Sequence, residues 1–292
     1  MRKAEGVKKR KRIIWLPLCM VAAAMLYWLW PRPLTVTHYE VEAQVTEPLR
    51  IVQLSDLHGR KFGKDNEKLI SMVREQQPDL IFLTGDMFSR NDTDHSAVLR
   101  LISDLREISP VYYSYGNHEE DWLKSHRADL KAELTQAGAT VLDLEYEDLA
   151  VKGQALRIGG YSGYYRTPAM ETSDPELQNR KLAFADDFEN TERQKLLLCH
   201  IPTSWTDWER INKHEVGIVF CGHYHGGQVR FPLIDRGLYA PYVKWFPKYT
   251  RGVFYGKSAV CVLSAGLGCG RNLPRIYNPP EIVTVDLIPN RS

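Results

Sequence analysis

Five short clusters of acidic, amide and imidazole side chains lie along this chain, and each comes directly after a hydrophobic run. The members that could bind a metal ion or act on a substrate are Asp56, His58, Asp86, Asn117, His118, His200, His223 and His225. Carboxylate, amide and imidazole groups suit divalent ions such as Mn, Fe, Zn or Ni, and they need no thiolate beside them. The residue types therefore predict a metal centre.

Two divalent cations in one site would give these clusters a common chemistry. A carboxylate that bridges two cations holds them roughly 3.5–4 Å apart, where they clamp the attacking and leaving oxygens of a phosphoryl displacement. A water shared between them becomes a hydroxide near neutral pH. The clusters therefore predict a hydrolase of phosphoesters that uses two metal ions.

The hydrophobic runs before the clusters have the length and composition of buried β-strands. They cover residues 51–54, 80–84, 111–115, 196–199 and 218–221. Between the first three runs, residues 66–76 and 96–108 have the apolar periodicity of helices. This βαβαβ pattern predicts parallel strands joined by helical crossovers, so the clusters that follow the strands should meet at one edge of a sheet.

The rest of the chain is richer in short strands than in helices. We expect helices at 119–137, 175–190 and 204–213, and strands at 145–151, 155–161, 253–255, 259–263 and 282–286. No internal repeat or low-complexity tract interrupts the pattern. The predicted fold class is α/β (α+β), with two packed β-sheets flanked by helices in one large domain.

The formal net charge of +2 is unevenly distributed. Residues 1–12 contain seven Lys or Arg and one Glu, which contribute +6 and leave −4 on the remainder. A mildly acidic body does not suit nonspecific nucleic-acid binding, because that binding depends on neutralising phosphates with Lys and Arg. We therefore expect no nucleic-acid partner.

An uncharged run of 18 residues, 13–30, follows the basic arm. As a helix it would span about 27 Å, close to the thickness of a hydrocarbon core. The sequence therefore predicts a basic cytoplasmic arm (1–12), a transmembrane anchor (13–30), a linker or edge strand (31–48) and a catalytic domain (49–288). By the positive-inside rule, this is a single-pass protein of the cell membrane with an extracytoplasmic catalytic domain. The alternative is a cleaved signal peptide with small residues at 22–24.

The clusters taken in order resemble the motifs of the calcineurin-like metallophosphoesterase family. The motifs are Asp56-x-His58, Gly85-Asp86, Gly116-Asn117-His118-Glu119, His200 and Gly222-His223-x-His225. Residues 226–232, 264–269 and 279–282 further resemble the membrane-anchored bacterial branch of that family. The resemblance implies a four-layer αββα fold in which the two sheets lie between helices.

The resemblance also implies a role for each residue of the motifs. Asp56, His58 and His225 would hold the first metal ion, Asp86 would bridge, and Asn117, His200 and His223 would hold the second. His118 would not be a ligand; it would face the phosphate, stabilising charge or protonating the leaving oxygen, with Glu119 orienting it.

The resemblance finally implies an activity. The chain would hydrolyse phosphoester or diphosphate bonds by in-line attack of a metal-bridging hydroxide, with phospholipid, lipid-linked or nucleotide-lipid substrates. A general phosphomonoesterase is the alternative within the enzymes, and a catalytically silent metal-binding envelope protein is the alternative outside them. The sequence leaves the oligomeric state open.

Several other residues with reactive side chains are predicted to have no part in the site, the histidines as solvated or structural residues and the cysteines as structural ones. His38, His95, His126 and His214 belong to no motif, and Cys199, Cys221 and Cys261 lie in apolar runs where they would pack as small hydrophobic residues. The segment 239–251 interleaves aromatic and cationic residues. That composition suits either an interface with acyl chains or ordinary packing between strands.

Overall fold

The computed structural model describes residues 20, 25, 27–126, 129–167, 172–206, 211–231, 236–241, 243–269 and 274–290. The helices are α1 Glu67–Glu75, α2 Ser96–Arg106, α3 Asn117–Ser125, α4 Leu130–Gln136 and α5 Pro175–Glu189. The strands are β1 Thr35–Ala43, β2 Leu49–Leu54, β3 Leu80–Leu83, β4 Val111–Tyr113, β5 Ala139–Val141, β6 Glu145–Val151, β7 Gln154–Gly160, β8 Gln194–Leu198, β9 Gly217–Cys221, β10 Tyr239–Ala240, β11 Lys244–Trp245, β12 Gly252–Tyr255, β13 Ala259–Leu263 and β14 Glu281–Pro289.

The first sheet contains the predicted βαβαβ unit. Its strand order is β1-β14-β2-β3-β4-β5, and β2, β3, β4 and β5 are mutually parallel. Strand β14 runs antiparallel to β2 and parallel to β1, which forms one edge. The carboxyl ends of β2, β3 and β4 therefore meet at one edge of the sheet, as predicted.

The second sheet is built from the later strands, in the order β12-β13-β9-β8-β7-β6. Its four central strands are parallel, and β6 and β12 pair antiparallel with them at the two edges. Strands β10 and β11 form a separate two-stranded ribbon. The prediction of two sheets with flanking helices is confirmed, and both sheets are mixed.

Apolar side chains fill the space between the two sheets and the space under the helices. Phe82 of the first sheet packs against Phe220 of the second, with ring centroids 5.0 Å apart. Helices α1 and α2 cover the outer face of the first sheet, and α5 covers the second sheet through Phe184 and Phe188. All four residues of β3 are buried, because a central strand covered on both faces has no solvent side.

The helix predicted at 119–137 is two helices in the structure. Helix α3 ends at Ser125, since the backbone of His126 is extended, with φ −127° and ψ 137°. Helix α4 begins after Asp129, whose side chain accepts a hydrogen bond from the amide of Ala132. Of the helix expected at 204–213, residues 207–210 lie outside the described residues, and Pro202–Ser204 form a 3₁₀ turn.

The predicted single-pass membrane localisation, with an extracytoplasmic catalytic domain, is corrected. Among the described residues, no helix has the length and apolar character needed to cross a membrane. Of the anchor predicted at 13–30, only residues 20, 25 and 27–30 are described. The basic arm at 1–12 lies wholly outside the described residues.

Candidate metal centre

The polar clusters that follow the strands come together at one edge of the two sheets. Three groups of side chains offer ligand atoms that lie within 4.8 Å of one another. The groups are Asp56 with His58 and His225, His58 with Asp86 and His118, and Asp86 with His200 and His223. Because the groups share members, they form one continuous site, and Asn117 begins α3 beside His118.

Backbone hydrogen bonds hold the turns after the strands against each other. The amide of Asp56 donates to the carbonyl of Gly85 at 3.0 Å, and the amide of His58 donates to the carbonyl of Asp86 at 3.0 Å. Gly85 has φ +86°, and a Cβ there would overlap the backbone of Gly116. This close approach explains why glycine precedes the ligand cluster at the end of β3.

Asp86 lies at the middle of the site. Its Oδ2 is 3.2 Å from Nε2 of His200, 3.8 Å from Nε2 of His58 and 3.9 Å from Nε2 of His118. Its Oδ1 accepts a hydrogen bond from the amide of His118 at 2.8 Å. Although burial opposes ionisation, the charge and hydrogen bond of His200 hold the pKa of Asp86 well below its usual value.

Asp56 occupies the other side of the site, next to His225. Its Oδ1 is 3.5 Å from Nε2 of His225 and 4.0 Å from Nε2 of His58. The amide of His223 donates to both carboxylate oxygens, at 3.0 and 3.1 Å, and the Ser55 hydroxyl donates to Oδ2 at 2.7 Å. Asp56 is thereby fixed in place without losing access to its imidazole neighbours.

His200 is oriented by Thr84, the residue that follows β3. Its Nδ1–H donates to the carbonyl of Thr84 at 2.7 Å, which leaves Nε2 directed at the carboxylates. Such a hydrogen bond behind an imidazole is the usual way in which a protein orients a metal-binding histidine. Burial opposes its ionisation, but the charges of Asp86 and Asp56 raise the pKa of His200 to about 10.

The residues present fit a pair of divalent cations. Buried ring nitrogens of His58 and His225 and the buried Oδ1 of Asn117 have no hydrogen-bond partner among the described residues. A buried polar atom without a partner costs about 1–3 kcal/mol. Cations bound between these atoms and the two carboxylates would remove that cost.

The backbone at the site is strained in a way that also favours a binding role. Five of the seven predicted ligands have a positive φ between 47° and 72°, namely Asp56, His58, Asp86, His223 and His225. This region is uncommon for residues other than glycine, and it is concentrated at functional sites. These turns therefore lower the stability of the fold somewhat, and they direct their side chains into the site.

We expect acid to destabilise the metal-free protein through His58 and His225. Burial lowers the pKa of each from 6.5 to about 3, assisted at His225 by the charge of Arg275. Between pH 6.5 and 3 the unfolded chain therefore binds more protons than the folded one, so the free energy of unfolding falls as the pH falls. The fall is about 1.4 kcal/mol per pH unit for each histidine.

Urea unfolding at pH 7 and pH 5 checks this expectation. The double variant His58→Asn, His225→Asn should lose less stability between the two pH values than the wild type loses. With a pKa of about 10, His200 is protonated in the folded state at both pH values, so its contribution is the same in the two proteins and cancels from the comparison. An equal loss in the two proteins would show that these histidines are not buried in the neutral form.

Glu119 does not orient His118, in contrast to the expectation from the sequence. Its carboxylate accepts hydrogen bonds from the amides of Asp86, Met87 and Gly116 and from the hydroxyl of Tyr113, at 2.8–2.9 Å. His118 instead accepts a hydrogen bond at Nδ1 from the amide of Arg90, at 3.2 Å.

We expect Glu119→Gln to destabilise the protein by roughly 3 kcal/mol, because all four partners of the carboxylate are donors. An amide in its place would direct its own N–H groups at some of them. Burial and the charge of Asp86 raise the pKa of Glu119 to about 7, so denaturant unfolding is best measured at pH 8. Glu67→Gln, at an exposed acid in the first turn of α1, is the matched control and should stay within about 0.5 kcal/mol of the wild type. Equal stability of the two variants would contradict this role of Glu119.

Two of the histidines outside the motifs and three cysteines pack as structural residues, as predicted. His95 and His126 pack against Trp122, with ring centroids 4.7 and 4.4 Å apart. Cys199, Cys221 and Cys261 are buried free thiols. No side-chain motif indicates Arg90, because its contribution to the site is a backbone amide.

Comparisons with known proteins agree with this geometry. The calcineurin-like phosphoesterase family matches residues 49–227. The chain is 26% identical over 269 residues to the metallophosphoesterase YkuE of Bacillus subtilis, covering 89% of this chain and 87% of that protein. It is 28% identical over 250 residues to the metallophosphoesterase Cj0846 of Campylobacter jejuni, covering 82% of this chain and 59% of that protein. It is 26% identical over 245 residues to the phosphodiesterase YaeI of Escherichia coli, covering 82% and 83%.

Proposed function

Because the chain belongs to the calcineurin-like phosphoesterase family, we propose that it hydrolyses phosphodiester or diphosphate bonds at the metal centre described above. It is a metal-dependent phosphoesterase, and the enzymes of its family use two divalent metal ions. The observation that carries the proposal is the position of Asp86, whose carboxylate faces His58, His118 and His200 within 4 Å. One carboxylate shared in this way suits a pair of cations better than a single ion.

The ligands divide into two sets around Asp86 in this proposal. Asp56, His58 and His225 hold one cation, and Asn117, His200 and His223 hold the other, with Asp86 shared. The proximity of Asp56, His58 and His225 in one group and of Asp86, His200 and His223 in another supports this division. Bound there, two cations would supply Lewis-acid polarisation of the phosphate and a nucleophilic water near neutral pH.

His118 is the residue that acts on the substrate in this proposal. Its Nδ1 accepts the amide hydrogen of Arg90, so the proton of the neutral ring lies on Nε2, the atom nearer to Asp86. Burial lowers the pKa of His118, which keeps the ring neutral at pH 7. In that state Nε2–H can donate to a phosphoryl oxygen or to the leaving oxygen as charge develops there.

The proposal extends to substrates that carry an apolar group, such as lipid-linked diphosphates. Support comes from exposed aromatic side chains in two segments, since Trp30, Trp245 and Phe246 are 68%, 66% and 52% exposed. Phe231 lies between the segments and stacks on both Trp28 and Phe246, with centroids 6.2 and 6.3 Å apart. Exposed aromatic surface of this kind suits contact with an acyl chain.

A panel of substrates tests both parts of the proposal. With Mn²⁺ added, purified protein should hydrolyse bis(p-nitrophenyl) phosphate faster than p-nitrophenyl phosphate. The reverse order would favour a general phosphomonoesterase, and two bound cations without turnover of any substrate would favour a metal-binding role.

For the apolar group, a long-chain diphosphate should have a lower KM than its short-chain analogue, and Trp245→Ser should reduce the difference between the two KM values. Equal KM values would contradict the lipid-linked class.

A further inference from the structure

A loop that lies C-terminal to the part of the chain matched by the family packs closely against the backbone of Asp56, the first predicted ligand. This loop, residues 264–268, follows β13. Its Leu267 amide donates to the carbonyl of Ser55 at 3.0 Å, and its Gly268 amide donates to the carbonyl of Asp56 at 2.6 Å. At Gly266, where φ is +73°, a Cβ would lie 2.7 Å from the Cβ of Asp56. The loop therefore leaves Asp56 no room to shift backward.

The side chain of Arg275 holds this loop in place. Its guanidinium donates to the carbonyls of Ala265 and Gly268, both at 2.7 Å. It also donates to the carbonyls of Asn278 and Pro279, at 3.1 and 3.2 Å. Because one planar group satisfies four carbonyls, it joins the 264–268 loop to the backbone at 278–279.

The side chain of Asn278 continues the connection to the second loop of the site. It is 1% exposed, and its Nδ2 donates to the carbonyl of His225 at 2.7 Å and to that of Gln228 at 3.1 Å. Arg275 and Asn278 therefore connect the backbone of Asp56 with the backbone of His225. These two ligands have their facing atoms 3.5 Å apart.

The strand that follows anchors this support to the first sheet. Glu281, the first residue of β14, accepts a hydrogen bond at Oε2 from the amide of Ala265 at 2.7 Å. Its Oε1 accepts one from the hydroxyl of Thr37 in β1 at 2.6 Å. The support is therefore part of the rigid sheet and not of a free loop.

We propose that Arg275 and Asn278 are positioning residues for one half of the metal centre, the half formed by Asp56, His58 and His225. They set the distance between Asp56 and His225 and so the affinity of that half for its cation. Among the described residues, neither side chain contacts His200, which is oriented by Thr84. The inference rests on the ligand assignment made under the proposed function.

The expected loss of metal affinity follows from the known effect of removing groups that orient metal ligands. Removing a group that orients a metal ligand typically lowers metal affinity about 10–100-fold. In calorimetric titrations of metal-free protein with Mn²⁺, the wild type should bind two ions per chain. Asn278→Asp, which removes the Nδ2 donors at constant size, should weaken one site by 10–100-fold and leave the other unchanged. Arg275→Lys, which keeps the charge and loses most of the carbonyl contacts, should do the same.

Two further variants separate positioning from general stability and identify the half affected. Asn212 also holds a loop by its side chain, since its Oδ1 accepts the amide of Lys257 at 2.6 Å. Asn212→Asp is therefore the matched control, and both its Mn²⁺ affinities should equal those of the wild type. Adding Asn278→Asp to His58→Ala should leave the Mn²⁺ affinity of the other half unchanged, because both substitutions affect the half that contains His58.

Hydrogen exchange gives a readout that needs no metal. The amides of Leu267 and Gly268 should exchange faster in Arg275→Lys than in the wild type or in Asn212→Asp. Unchanged exchange there, or equal weakening of both Mn²⁺ sites in the folded Asn278→Asp protein, overturns the inference even when the wild type binds two ions. A wild type that binds no Mn²⁺ overturns the ligand assignment and this inference together.

Discussion

Replacing Asp86 by alanine should abolish phosphodiesterase activity, with a loss of about 10³-fold or more in kcat/KM. In the proposed ligand assignment the two halves of the site share Asp86, so its removal would leave His58 and His200 without their common carboxylate. Cations that polarise a phosphoryl oxygen contribute several kcal/mol, and each 1.4 kcal/mol corresponds to a tenfold change in rate. The measurement is hydrolysis of bis(p-nitrophenyl) phosphate with Mn²⁺, together with the metal content of the purified variant, which should fall below that of the wild type.

Asp79 provides a matched control at the opposite end of the same strand. It precedes β3 as Asp86 follows it, and its carboxylate accepts the amide of Arg50 at 2.9 Å and pairs with Lys152 at 2.6 Å. Asp79→Ala should lose some stability and keep its activity within about twofold, because its partners lie far from the ligands along β3. Asp86→Ala protein that remains active with full metal content would refute the assignment of the site.

The sequence predicted the proximity of the three polar turns better than it predicted the outer parts of the molecule. The runs before Asp56, Asp86 and Asn117 are central strands buried on both faces, so they are continuously apolar and end abruptly at a polar turn. That contrast is visible in a single sequence. Since parallel strands bring their carboxyl ends to one edge, the proximity of the three turns follows from the strand order alone.

Features that depend on contacts between distant segments could not be predicted in this way. The break between α3 and α4 arises at His126, within a stretch whose apolar periodicity continues across it. Arg275 and Asn278 act through backbone carbonyls, which every residue has, so their sequence neighbours carry no signal. Span length alone suggested a membrane anchor at 13–30, and no helix among the described residues supports it.

Replacing His118 by alanine should separate catalysis from metal binding. General acid catalysis and charge stabilisation by one positioned imidazole contribute about 10²–10⁴-fold, so kcat should fall by that factor. His118 nevertheless lies in one of the groups that could hold a metal ion, with His58 and Asp86. Its assignment as the group facing the substrate therefore requires that the variant still bind two Mn²⁺ with affinities close to those of the wild type.

His126→Ala is the control for this variant, because His126 follows the same helix and packs on Trp122 away from the ligands. It should keep both its kcat and its metal content. A substrate with a better leaving group discriminates further: if His118 protonates the leaving oxygen, the loss in His118→Ala should shrink for a nitrophenyl ester compared with an alkyl ester, since a nitrophenolate needs little protonation to depart. A loss of one Mn²⁺ from His118→Ala would instead make His118 a ligand. The donor role at the leaving oxygen would then pass to another residue of the site.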